Sequence, residues 1–111
     1  MGSQKYGAFW TGDNVATNNE VQGSVTMLLQ LGVSGHPFGG ADVPGFYGDV
    51  TDDLYVQFYQ LGAWYPFFRA HSHINYQNRE PWFQSQRVQQ AIRASINQRY
   101  DFIHYIYHAF Y

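Results

Sequence analysis

Apolar positions come in two alternating kinds of run along the 111 residues. Tyr6 to Trp10 is short, aromatic and bounded by glycine, which reads as a buried strand. Thr11-Gly12-Asp13-Asn14 has the chemistry of a turn. From Asn19 the apolar residues fall at Val21, Val25, Leu28 and Leu29, the spacing of one helix face, and Gly32 is placed to cap it. Val33 to Phe38 predicts a second strand, followed by a long Gly-rich loop from Gly39 to Gly45. A second helix starts near Thr51, where Asp52 and Asp53 suit the positive end of the helix dipole. Its buried face is Leu54, Phe58 and Leu61. Trp64 to Phe68 is a third apolar run, closing on Arg69. A polar loop follows, from His71 to about Gln84. The rest is one helical tract, with Ser85 at its N-cap and Val88, Ile92, Ile96, Ile103 and Tyr107 at helical spacing, with a slip near Tyr100.

Strand, loop and helix repeat three times in order. That alternation predicts an α/β fold with a parallel sheet. No glycine-rich stretch runs into Gly-Lys-Ser or Gly-Lys-Thr, and Gly35 to Gly45 lacks GxGxxG spacing, so a nucleotide site is disfavoured. No internal repeat, low-complexity tract or linker divides residues 1–111, which are read as one domain.

Composition sharpens this picture. The chain has 3 Trp, 10 Tyr and 9 Phe, and only 13% charged residues, against roughly 25% in an average soluble domain. A small domain has much surface to cover with polar groups, so much of this surface is expected to lie under something else. Six Lys and Arg against eight Asp and Glu give a net charge of −2, which leaves no basic footprint for nucleic acid. With no cysteine there is no disulfide framework and no thiolate metal site. No apolar run approaches the roughly 18 residues of a membrane span, and residues 1–6 carry neither a signal peptide nor a myristoylation pattern.

In a parallel α/β sheet, function collects at the carboxyl ends of the strands. Asp13 follows the first run, Asp42 the second, and Arg69 with His71 the third, with Trp10 and Phe46 beside them. Carboxylates and an imidazole among aromatics suit a sugar, whose C–H faces stack on rings while its hydroxyls bond to carboxylates. Each residue also has a plainer reading. Asp13 and Asp42 are in sequences that form Asx turns, and Arg69 can simply pair with Asp42. His71 and His73 share a face in an extended segment, and His36 could join them, but no third ligand lies nearby in sequence. His104 and His108 have the spacing of a zinc pair without the glutamate of HExxH, and aromatic helix packing explains them better.

Taken together, the motifs resemble those of glycoside hydrolase family 31, the α-glucosidases, and within it the branch of the endoplasmic-reticulum glucosidase II catalytic subunits. The matching stretches are Gly7-Ala8-Phe9-Trp10-Thr11-Gly12-Asp13-Asn14, Gly39-Gly40-Ala41-Asp42-Val43-Pro44-Gly45-Phe46, the run Tyr59 to His71, Arg79-Glu80-Pro81-Trp82 and Gln98-Arg99-Tyr100. The resemblance covers nearly the whole chain. It implies a (β/α)8 TIM barrel, with this chain as its C-terminal part, about strands 6–8 and their helices. It places Asp13 on the general acid/base and Asp42 and His71 on the groups that hold glucose hydroxyls. Trp10 and Phe46 fall on wall positions, and Arg69 behind them, holding His71 or pairing with Asp42.

The implied activity is a retaining α-glucosidase acting on terminal α-linked glucose, as on N-linked glycans, with no cofactor and no metal. The alternative is a carbohydrate-binding or non-functional remnant. A regulatory β subunit and the endoplasmic-reticulum lumen are implied by the family, and neither nucleic acid nor membrane. The chain lacks the Trp-x-Asp-Met-Asn-Glu type of segment that carries the family's nucleophile, and the family's arginine about sixteen residues before Gly-Asp-Asn. Met1 stands where the family commonly has Ala, and Asn18 where it usually has Trp. The chain is therefore expected to be a fragment of a catalytic domain, inactive alone. With two open sheet edges and barrel-interior groups such as Phe38 and Phe68 uncovered, it is expected to be insoluble or molten in isolation.

Overall fold

The computed structural model describes residues 2–111. Met1, on which the reading of the start rests, lies outside the described residues. The parallel α/β arrangement is present. Strand β1 (Phe9–Trp10) pairs in parallel with β2 (Gly39–Gly40), in register Phe9 with Gly39. Strand β3 (Asp42–Val43) pairs in parallel with β4 (Arg69–Ala70), in register Asp42 with Arg69. Only Ala41 separates β2 from β3, so residues 39–43 form one central segment held on both sides. Flanking bonds extend the ladders: Phe9 N–H to Phe38 O at 2.8 Å, Thr11 N–H to Gly40 O at 3.2 Å, and Phe67 N–H to Gly39 O and His71 N–H to Val43 O, both at 3.1 Å.

The strands are displaced from the predicted runs. The segment read as a Gly-rich loop contains the central strand, and Val33 to Phe38 is the end of a helix and a connection. The physical reason is close approach. A Cβ on Gly40 would collide with the Phe67 carbonyl, so the central segment needs glycine where a neighbouring backbone presses in. The third strand likewise falls at Arg69–Ala70 rather than Trp64–Phe68, because residues 63–66 turn out of the preceding helix. The first strand is shorter than Tyr6 to Trp10 and is not buried: Tyr6 and Trp10 are both exposed.

Helix α1 (Asn18–Val33) starts where Thr17 Oγ1 accepts from Glu20 N–H at 3.3 Å. It ends past Gly32, at Gly35, whose φ of +88° suits only glycine at low cost. There His36 N–H reaches Leu31 O at 2.8 Å and Gly35 N–H reaches Gly32 O at 3.0 Å, the paired closure of a Schellman cap. Helix α2 (Asp52–Gly62) starts at Thr51, as predicted, with Thr51 Oγ1 accepting from Leu54 N–H. Helix α3 (Gln86–Phe110) runs unbroken through Tyr100. Ser85 stands at its N-cap position but donates its hydroxyl to Asp52 Oδ2 at 2.7 Å, joining the starts of α2 and α3.

The core is the space between the central strand, α2 and the front of α3. Val43, Tyr55, Phe58, Val88 and Ile92 are essentially sealed there, with Leu54, Tyr59 and Tyr65 around them. Phe68 packs on this helix side, against Tyr59 at 5.9 Å between ring centroids, so it does not belong to the barrel-interior face where the sequence placed it. Phe38 is 40% exposed. Leu29 and Val33 of α1, and Tyr100, Phe102, Ile103, Tyr105 and Tyr107 of α3, are also exposed. Among the described residues no helix is long and apolar enough to cross a membrane.

Candidate active site

Each of the six polar and aromatic positions singled out in the sequence lies on strand β1, β3 or β4 or within three residues after it. Trp10 ends β1, with Asp13 three residues on. Asp42 opens β3, with Phe46 following the turn at Pro44-Gly45. Arg69 opens β4, with His71 just beyond. Gly45 makes the turn possible: its φ is +111°, and a Cβ there would lie 2.7 Å from Ala16 Cα. The two segments therefore touch at the turn itself.

A chain of contacts joins the six. Arg69 Nη2 donates to Asp42 Oδ1 at 2.8 Å, which settles the alternatives left for Arg69 in favour of the pair with Asp42. The Asp42 side chain is fully buried, and Arg69 keeps 37% of its side chain exposed. Asp42 Oδ2 and Arg69 Nε are buried without a hydrogen-bond partner. The guanidinium lies 5.5 Å from the Trp10 ring and 5.3 Å from the Phe67 ring, close enough for cation–π attraction to both. On the other side of Asp42, the Asn14 side-chain amide donates to Asp42 O at 3.1 Å, and Asn14 Oδ1 accepts from Phe46 N–H at 3.1 Å. The Phe46 ring then lies 5.2 Å from the His71 ring, 5.7 Å from His73 and 4.7 Å from Tyr47. Tyr47 donates to Asp13 Oδ2 at 3.3 Å.

The two carboxylates differ in setting. Asp13 is exposed on its turn, while Asp42 is inside. An exposed carboxyl can exchange protons with a ligand directly. A buried one bound to a guanidinium is an anchor that keeps a second lone-pair oxygen unspent. The Tyr47 phenol is raised above its ordinary value by desolvation, and further by the charge and hydrogen bond of Asp13.

Asn14 and Tyr47 belong to this cluster and were missed in the sequence, and so does His73, read there only as a metal ligand beside His71. Asn14 was visible only as a turn former, yet it is buried and bridges two segments about thirty residues apart. His36 does not join His71 and His73: it packs edge-on against Phe9, 4.4 Å between centroids, while the other two flank Phe46. Among the described residues no group of three or more His, Asp or Glu is placed to hold a metal. Two mostly apolar grooves lie elsewhere. One of about 510 Å³ includes Phe38, Ile103 and Phe110, and one of about 490 Å³ includes Leu28, Leu61 and Trp64.

Comparison with known proteins gives one consistent result. Residues 1–109 match the glycosyl hydrolases family 31 TIM-barrel domain. The chain is similar to neutral alpha-glucosidase C of Mus musculus, 51% identical over 110 residues, and to a probable glucan 1,3-alpha-glucosidase of Oryza sativa subsp. japonica, 47% identical over 109. These matches take in 99% and 98% of this chain but 12% of either relative. A solved endoplasmic-reticulum glucosidase II, a heterodimeric complex of the catalytic subunit and the binding domain of the regulatory subunit, superposes with a TM-score of 0.86 at 46% identity. It covers 89% of this chain and 11% of that one.

Proposed function

The chain belongs to glycosyl hydrolase family 31, and from that premise we propose that it supplies the acid/base side of an α-glucosidase active site. In this reading residues 1–111 are part of a catalytic domain, its strands 6–8 with their helices. The enzyme releases terminal α-linked glucose with retention of configuration. Asp13 protonates the departing oxygen and then activates water. The nucleophilic carboxylate comes from another part of the barrel. The His71 imidazole and Asp42 Oδ2 hold glucose hydroxyls, and Trp10 and Phe46 wall the sugar. Arg69 fixes the Asp42 carboxylate. Because Asp42 is sealed in this conformation, a hydroxyl reaches Oδ2 only when the side chains over it part, and Arg69, the more exposed member of the pair, is the one free to move.

The observation that carries this reading is the unbroken chain of contacts from Trp10 through Arg69, Asp42, Asn14 and Phe46 to His71 and, by way of Tyr47, to Asp13. Structural anchoring alone explains the Asp42–Arg69 pair. It does not explain two imidazoles set against the Phe46 ring and, one residue on, an exposed carboxylate bound by Tyr47. The similarity to glucosidase II supports glucose on an N-linked glycan as the substrate, a regulatory subunit as partner and the endoplasmic-reticulum lumen as the compartment.

The test is a hybrid in which this chain replaces the matched stretch of the mouse neutral alpha-glucosidase C. The hybrid is expected to hydrolyse α-glucosides. Asp13→Asn is expected to lower the rate on poor leaving groups by about 10²–10⁴ and to spare glycosylation by activated ones. Full activity in Asp13→Asn, or a folded hybrid with no activity, would overturn the reading.

A further inference from the structure

The turn that carries Asp13 is tied to a loop to which the family motif assigns no role beyond Phe46. Tyr47 donates its phenol O–H to Asp13 Oδ2 at 3.3 Å. Its main chain is bound to the same turn: Tyr47 N–H donates to Asn14 O at 3.0 Å, and Tyr47 O accepts from Ala16 N–H at 2.8 Å. Val15 and Tyr47 form a parallel bridge. The ring meets Phe46 edge-on at 4.7 Å, His73 at 5.5 Å and Tyr76 at 6.3 Å. On the far side the buried Arg79 donates from Nη2 to Gly48 O at 2.6 Å. The phenol thus arrives at the carboxyl group on a braced loop.

We infer that Tyr47 is a positioning residue for proton transfer, fixing which oxygen of Asp13 carries the proton. The inference rests on the reading of Asp13 as the general acid/base. A phenol O–H directed at Oδ2 makes Oδ2 the acceptor and leaves the acid proton on Oδ1. In the first step that proton passes from Oδ1 to the glycosidic oxygen as its bond to the anomeric carbon breaks. In the second step Oδ1 takes a proton from water as the water oxygen bonds to the anomeric carbon, and the acid is restored. Tyr47 keeps its own proton throughout and holds the carboxyl plane in place. The other titratable groups facing this pair are Glu20, which shares a small pocket with Asp13, and His73 and Tyr76, which lie against the Tyr47 ring.

The same hybrid tests this with Tyr47→Phe, which keeps the ring, and Tyr47→Leu, which removes it. Tyr47→Phe is expected to lower kcat on poor leaving groups about three- to tenfold, the effect of one hydrogen bond, with KM little changed and a smaller loss on activated substrates. If Tyr47→Phe behaves as the parent while Tyr47→Leu is impaired, the residue only packs and the inference fails. Asp13→Asn run alongside separates the two readings. Activity surviving there sinks the acid/base assignment, whereas a strict need for Asp13 with a silent Tyr47→Phe sinks only the role of Tyr47. A folded but inactive hybrid sinks the acid/base assignment and the inference with it; in an active one, a crystal structure with the Tyr47 hydroxyl out of reach of Asp13 overturns the role of Tyr47 alone.

Discussion

The central segment from Gly39 to Val43 and the rim that begins at Asp13 are joined through Asn14, yet they are built on opposite terms. In the centre, backbone groups are bonded on both sides, and Asp42 is sealed with one oxygen on Arg69. Helix α2 and the front of α3 cover it. On the rim, Asp13 is exposed and accepts from a phenol, Trp10 is 45% exposed, and the rear of α3 from Tyr100 onward shows its aromatic side chains to water. The contrast teaches where each kind of chemistry is kept. A carboxylate that anchors is taken out of solvent and paired. In the proposed reading, the one that exchanges protons, Asp13, is held at the surface by a hydrogen bond to a single oxygen.

The largest expected effect breaks the molecule along this line. At roughly 25 cal/mol per Å² of apolar area, each uncovered face of the rim forfeits several kcal/mol, comparable to the stability of a small domain. In the isolated 111 residues, amide protection is expected to concentrate in α2, the front of α3 and the central segment. It should be weak in β1 and the rear of α3, with no sharp thermal transition. Uniform protection and a sharp transition would show that the rim needs no cover.

A smaller effect strikes the centre alone. Arg69→Met in the hybrid leaves the Asp42 carboxylate buried without its partner. Removing one member of a buried pair costs about 3–5 kcal/mol. Because Arg69 keeps 37% of its side chain in solvent, a discounted cost of about 2–4 kcal/mol is expected. Amide exchange in the peptide spanning residues 39–43 should quicken by about two orders of magnitude, with little change at Asp13. Equal loosening of the rim would mean that the two regions are one unit.

Asn14→Ala tests the joint between them. It removes a donor to Asp42 O and an acceptor for Phe46 N–H. Phe46 N–H also reaches Asn14 O at 2.9 Å, and Asp42 O also accepts from Gly45 N–H at 3.0 Å, so both groups keep a backbone partner. The cost is expected to be about 0.5–1.5 kcal/mol, the net worth of a hydrogen bond rather than of an unsatisfied group. The substitution should loosen residues 42–47 on both sides of Gly45. No change in exchange there would show that the backbone contacts alone hold the two segments together.

How much of this was legible follows from the range of each interaction. The start of α2 was readable because the cap is local: Thr51 and Leu54 are three residues apart. The central strand was not, because local propensity favours Val33 to Phe38 over a run of glycines. Gly40 is selected by the Phe67 backbone, a neighbour 27 residues away. The third strand was missed for a similar reason. Arg99, from the middle of α3, donates to Ala63 O, Tyr65 O and Pro66 O and holds as a turn the residues that read as a strand. Asp13, Asp42, Arg69 and His71 were legible as motif residues. Asn14 and Tyr47 gain their place only through contacts across some thirty residues, which no local pattern carries.

The smallest expected effect is the most pointed. Asp13→Asn should cost the fold almost nothing, within about 0.5 kcal/mol. The residue is exposed, its substitute has the same shape, and the amide Oδ1 can still accept from the Tyr47 hydroxyl after a turn of the side chain. Asp42→Asn is the matched control. It removes the buried charge but leaves the Arg69 guanidinium, part of which can turn to water, so its cost should exceed that of Asp13→Asn and fall below that of Arg69→Met. Exchange rates of the peptides spanning residues 9–16 and 39–43, measured for all three substitutions in the hybrid, give the ranking directly. The order Arg69→Met, Asp42→Asn, Asp13→Asn supports a sealed anchor beside an open acid. If Asp13→Asn loosens its own turn as much as Arg69→Met loosens the centre, Asp13 is itself a structural residue, and the division between the two carboxylates falls.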